Sequence, residues 1–138
     1  MSVQTNSPYT HKIASFEPIN PSTGKGIFIL EIKEKTELYS PHLRFVLFAF
    51  NNHEAFKVKY TFFKDNKKVL DDPPINIDKA KFHHPANAYM GTYTTSFDLD
   101  VPPLKVSEGI YKIELEFMEY GGKLLDKKST YLIVASEY

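Results

Sequence analysis

Apolar and polar residues alternate with a period of two in several separate stretches of the chain. Phe28, Leu30 and Ile32 alternate with Ile29, Glu31 and Lys33. Phe56, Val58, Tyr60 and Phe62 alternate with Lys57, Lys59 and Thr61. Tyr93, Thr95, Phe97 and Leu99 alternate with Thr94, Ser96 and Asp98, and Tyr111, Ile113, Leu115 and Phe117 with Lys112, Glu114 and Glu116. A helix would scatter both sets around its circumference, whereas a pleated strand separates them onto opposite faces. Leu43 to Phe50 is apolar on both faces, which predicts a central strand. Tyr131 to Ala135 reads as a last, buried strand.

The turn residues agree. Asp65-Asn66 and Gly121-Gly122 each sit between two strand patterns, where tight hairpin turns need residues that tolerate positive φ. Pro73-Pro74 and Pro102-Pro103 cannot donate to a sheet ladder and so bound an intervening segment. Within it, Ile75 and Ile77 suggest a short edge strand, and Lys79 to Met90 reads as loop. The pattern predicts seven strands, near 26–35, 43–51, 56–64, 67–71, 93–99, 109–119 and 124–134, with 13–19 as a further candidate. Residues 1–12 read as a loose arm and 13–138 as one domain.

Short strands at this spacing, without a capped helical stripe, predict an all-β, antiparallel, two-sheet sandwich. Two stretches carry a resemblance to known proteins. LRFVLFAFNNHEAFKVKYTFFKDNKKVL (Leu43–Leu70) is similar to the B, C and C′ strands of the immunoglobulin-like and fibronectin type III-like superfamily. EGIYKIELEFMEYGGKLLDKKSTYLIV (Glu108–Val134) looks like its F–G hairpin. The resemblance implies an immunoglobulin-like sandwich of about seven strands and places Tyr111 near a tyrosine-corner position. The chain has no Cys and no Trp, so it departs from antibody domains.

Composition narrows the function classes. With 138 residues, 42% hydrophobic, the chain can bury a substantial core. Seventeen basic residues balance seventeen acidic ones, which excludes a whole-protein field for nucleic acid or an anionic membrane. Six residues, Phe45 to Phe50, form the longest apolar run, far below a membrane span of about twenty. Residues 1–10 are polar; as written the chain reads as cytoplasmic, or as secreted if a leader has been removed. The charge is uneven: 10 basic and 6 acidic residues lie up to Leu70 (net +4), and 7 basic and 11 acidic after it (net −4). In the expected sandwich the strands carrying Lys57 and Lys59 and carrying Glu114 and Glu116 are neighbours, so at least one lysine should lie beside a glutamate.

Candidate chemistry is sparse. His83-His84 could share a metal only from a loop, and no H-x-H or H-x₃-H spacing supports zinc, so exposed loop histidines are the better reading. Asp71, Asp72, Asp98 and Asp100 lack the D-x-D-x-D-G spacing of a calcium loop and read as strand-end residues. Lysines from Lys57 to Lys68 are interleaved with Tyr60, Phe62 and Phe63, but the alternation sends Tyr60 and Phe62 inward, away from any nucleic acid. No nucleophile motif, P-loop or dinucleotide fingerprint occurs, so neither an enzyme nor a cofactor is expected.

What stands out is surplus greasiness. Phe48 and Phe50 have the opposite parity to Leu43, Phe45 and Leu47, Phe63 the opposite parity to Phe62, and Met118 shares the Glu114/Glu116 face. These four residues form the expected interaction surface of a non-catalytic module that binds another protein or a second copy of itself, through an apolar sheet face or an edge strand. Nine tyrosines and the 76–90 loop leave a carbohydrate- or small-ligand-binding sandwich as the alternative, and a metal-dependent enzyme using His83 and His84 as a second one.

Overall fold

A computed structural model describes residues 9–51, 55–77, 87–89 and 92–137. Twelve strands account for it: β1 Lys12–Ile19, β2 Ile29–Ile32, β3 Thr36–Tyr39, β4 His42–Asn51, β5 Phe56–Lys64, β6 Lys67–Asp71, β7 Ile75–Ile77, β8 Asn87–Tyr89, β9 Thr92–Asp100, β10 Leu104–Ser107, β11 Gly109–Glu119 and β12 Leu124–Ser136. The protein is an all-β sandwich. One sheet has the order β1-β4-β9-β8 and the other β2-β12-β11-β5-β6, with β7 also on β5 and a β3–β10 ribbon beside them. Pairing is antiparallel except between β2 and β12, which run parallel. No helix of the described residues is long and apolar enough to cross a membrane.

The seven predicted strands are present, as are the further candidate near 13–19 (β1) and the short edge strand at Ile75–Ile77 (β7), while β3, β8 and β10 are additional. Residues 26–35 form a strand only over β2, and β8 occupies part of the stretch that read as loop. Asp65 and Asn66 both have left-handed φ (53° and 64°), the conformation a two-residue hairpin between β5 and β6 requires. Gly122 turns β11 into β12 at φ 102°.

Alternation fills the space between the sheets. Leu43, Phe45 and Leu47 of β4 are buried, as are Val58, Tyr60 and Phe62 of β5, Tyr111, Ile113, Leu115 and Phe117 of β11, and Leu132 and Val134 of β12. Aromatic rings join the layers: Phe50 meets Phe56 edge to face at 6.0 Å, and Phe56 packs on Phe117 at 5.2 Å. Such pairs contribute about 0.5–1.5 kcal/mol beyond their buried area. The sheets are also tied by the Ile13 amide, which donates to the Asp126 carboxylate at 2.8 Å.

One residue breaks the parity of β4. Leu47 lies opposite Thr95 and Phe50 opposite Tyr93, so β4 spends three steps where β9 spends two. Ala49 is the extra residue, with φ 54°, and its amide donates to the Thr94 hydroxyl. This bulge turns Phe50 inward, to 1% exposure, against the outward position expected from alternation. Because a non-glycine residue in the left-handed region carries about 1–2 kcal/mol of strain, Ala49→Gly is expected to leave stability unchanged or raise it by up to about 1 kcal/mol. A denaturation midpoint that falls, as it would for glycine at an ordinary strand position, would show that Ala49 is not strained.

Tyr111 ties the start of β11 back to the chain four residues upstream. Its hydroxyl accepts the Ser107 amide at 3.0 Å and donates to the Ser107 carbonyl at 3.3 Å, closing the entry to β11. Gly109, at φ 149°, begins that strand, and the Lys64 stem crosses where a side chain would be. Tyr111→Phe leaves both Ser107 groups without this partner and is expected to cost about 1–2 kcal/mol in urea unfolding; an unchanged midpoint would refute the role.

Candidate functional site

The four residues singled out by parity do not form one surface. Phe50 is core. Met118 is 8% exposed, between Lys57 of β5 and the start of β12. Phe48 is 43% exposed but stands on the four-stranded sheet, and Phe63 is half-buried on the outer face of the other sheet. Of the four, only Phe63 borders the apolar row described next.

That surface lies on the outer face of the six-stranded sheet and is built by cross-strand register. Ile110 of β11 pairs with Ile133 of β12, which pairs with Ile29 of β2. Two residues along, Phe63 of β5 pairs with Lys112 of β11, which pairs with Tyr131 of β12. Because Tyr111, Leu132 and Val134 point inward, their neighbours Ile110, Tyr131 and Ile133 point out. Exposure in the row runs from 44% at Ile133 to 61% at Ile110. Tyr131 and Ile133 are therefore not in a fully buried strand, as the apolar run suggested. The signal was in the sequence: Ile110 has the parity of Lys112 and Glu114, and Ile29 that of Glu31.

Next to the row is a shallow groove of about 380 Å³, lined by Phe63, Asp65, Asn66, Ile110, Lys112 and Tyr131. The Lys112 ammonium lies 4.8 Å from the Phe63 ring centre and 3.0 Å from Glu114 Oε2. Beyond the groove the outer face becomes ionic. Lys127 reaches the other Glu114 oxygen at 3.4 Å. Lys59 and Glu116 are register partners, as the charge pattern predicted, although the Lys59 ammonium bonds Asp71 at 2.6 Å. Lys57 sits 4.4 Å over the Tyr120 ring.

The remaining sequence candidates are dispersed. Asp98 bonds Arg44 at 2.9 Å, and Asp100 Oδ1 lies 2.5 Å from His42 Nδ1. Asp71 holds Lys59 and Lys68, and Asp72 accepts the Tyr60 hydroxyl at 2.6 Å. Asp98 and Asp100 lie on one sheet and Asp71 on the other, so the four aspartates do not share a calcium site. Tyr60 and Phe62 are buried, which removes stacking partners from the lysine cluster. His83, His84 and most of the 76–90 loop lie outside the described residues; within the described ones, no three His, Cys, Asp or Glu side chains are grouped to hold a metal.

No protein-family model matches the chain, and no curated protein does. Among solved structures it is similar to a Niemann-Pick type C2 protein from Japanese carpenter ant, at 11% identity and a TM-score of 0.45, over 91% of this chain and 92% of that one.

The ionic part of this face responds to acid. Burial alone would raise the Glu114 carboxyl, but bonds and charge from Lys112 and Lys127 outweigh it and hold it below its ordinary value. The bond to Lys59 does the same for Asp71. A carboxyl lowered by folding contributes stability that is intact above its unfolded value and lost as pH falls through the folded one. Glu114→Gln is accordingly expected to shrink the stability difference between about pH 7 and about pH 3. An unchanged difference in urea unfolding at the two pH values would show that these ion pairs do not act on stability.

Proposed function

We propose that the protein is a non-catalytic binding module that docks another protein, a second copy of itself included, on the outer face of its six-stranded sheet. The observation that carries this reading is the Ile29–Ile133–Ile110 row, three β-branched side chains set side by side by strand register and left open to solvent. Contiguous exposed apolar surface with a charged surround is the form that interaction patches take. Branched aliphatic groups on a flat sheet match another protein face. The Glu114–Lys112–Lys127 network supplies the polar rim beside them.

Self-association is the form of this reading that can be measured first. Sedimentation equilibrium of the wild-type chain is expected to show concentration-dependent association. Ile133→Lys is expected to remove it while changing folding stability by no more than about 0.5 kcal/mol, as exposed substitutions do. Wild-type protein that stays monomeric, and a photo-crosslinker placed at Ile133 that joins it to no protein in its own source cells, would together overturn the reading. Neither result depends on the groove beside the row.

A further inference from the structure

The groove has a chemistry that the isoleucine row lacks. Its apolar wall is Phe63, Ile110 and Tyr131, and its polar wall is Asp65, Asn66 and Lys112. The Asp65-Asn66 pair is fixed in place by two successive left-handed residues closing the β5–β6 hairpin. Both side chains are exposed, and among the described residues neither bonds another protein group, so a carboxylate and an amide stand open to solvent beside the groove. The Tyr131 ring stands in the open, at the far side of Lys112 from Phe63.

Charge selects the ligand class. An anion would need the Lys112 ammonium, which is already held by Glu114 at 3.0 Å and by the Phe63 ring. A cation seeking the Phe63 ring would have to displace the Lys112 ammonium, which already sits over it at 4.8 Å. What remains favourable is a neutral, donor-rich molecule with one apolar face. It would present C–H groups to aromatic rings, hydroxyl donors to Asp65, and both donors and acceptors to Asn66. A groove of about 380 Å³ is at the small end for ligand sites and suits one or two sugar rings.

We infer that this groove is a saccharide-binding subsite, with Tyr131 as the stacking platform and Asp65 and Asn66 as the hydroxyl readers. It shares Ile110 with the protein-docking row, but Ile29 and Ile133 do not line it, so substitutions at those two positions separate the readings.

The test is a titration of the ¹⁵N-labelled full chain with the methyl glycosides of glucose, galactose, mannose and N-acetylglucosamine, with choline and acetate as the cationic and anionic probes. At least one glycoside is expected to shift the Asn66, Lys112 and Tyr131 amides saturably, with a millimolar dissociation constant. Tyr131→Ala and Asp65→Ala should each weaken that binding at least tenfold, and Ile29→Lys should leave it unchanged. Both aromatic and acidic side chains are exposed, so the variants are expected to keep the wild-type spectrum elsewhere. The assignment fails if no glycoside gives a saturable shift, if binding survives both alanine variants, or if choline or acetate binds in place of the sugars. Loss of self-association in Ile133→Lys with retained glycoside binding would leave this inference standing; wild-type protein that self-associates but gives no saturable glycoside shift would remove this inference alone.

Discussion

The contact between Phe50 and Phe56 joins the two layers, and it exists because one residue interrupts the strand that carries Phe50. With β4 in unbroken alternation, Phe50 would share the face of Phe48 and point away from the other sheet. The left-handed turn at Ala49 reverses the parity and sends the ring inward, where it meets Phe56, Tyr93 and Phe97. Phe56 extends the contact to Phe117 on β11. The strained backbone at Ala49 is thus offset by aromatic packing that spans both sheets, and the local cost persists because the surrounding layers fix it.

Closing the core in this way leaves each sheet with an outer face. On the six-stranded sheet that face changes character along its length. Its middle is ionic, with Glu114 shared by Lys112 and Lys127 and with Lys59 on Asp71. Its end near the β5–β6 hairpin is apolar, with Ile29, Ile110, Ile133, Tyr131 and Phe63. Solubility alone would be served by extending the ionic pattern to the end, since β-branched residues are not needed for strand formation where Lys and Thr already alternate. The apolar end is a departure from the rule that the rest of the face obeys, and the docking proposal rests on that departure.

Period-two alternation made the strands and most of the core legible, because every buried residue of β5 and β11 from Phe56 to Tyr60 and from Tyr111 to Phe117 lies on its expected parity. The expected sandwich made β5 and β11 neighbours, and the opposite charges on them meet as that pairing requires, Lys59 beside Glu116. What alternation cannot show is a single inserted residue. Bulges at Ala49 in β4 and near Leu125 in β12 change which side chains face each other, and their positions follow from long-range register. That is why Phe50 was misplaced. Met118 kept its outward parity but is covered at its end of the sheet, which depends on packing outside its own strand. The isoleucine row was readable in principle as apolar residues at polar parity, yet only pairing of β2 with β12 in parallel brings Ile29 beside Ile133.

The edges of the sheets bear on the docking proposal, because they offer less to a partner than the face does. Strand addition requires a long, flat edge with free backbone groups. On one side of the six-stranded sheet β6 presents Lys67 and Lys68 within five residues, a pattern that discourages pairing with another chain. On the other side β2 has only four residues and ends at Ile32. β7 and β8 are three residues each, and β1 carries a register shift between Ile13 and Ser15. Each described edge is short, charged or irregular, so backbone recognition has little to work with. Side chains on the outer face are held in register by the buried ladder beneath them. Under the docking proposal a partner would meet a surface whose geometry is already fixed, and association would lose little to ordering it.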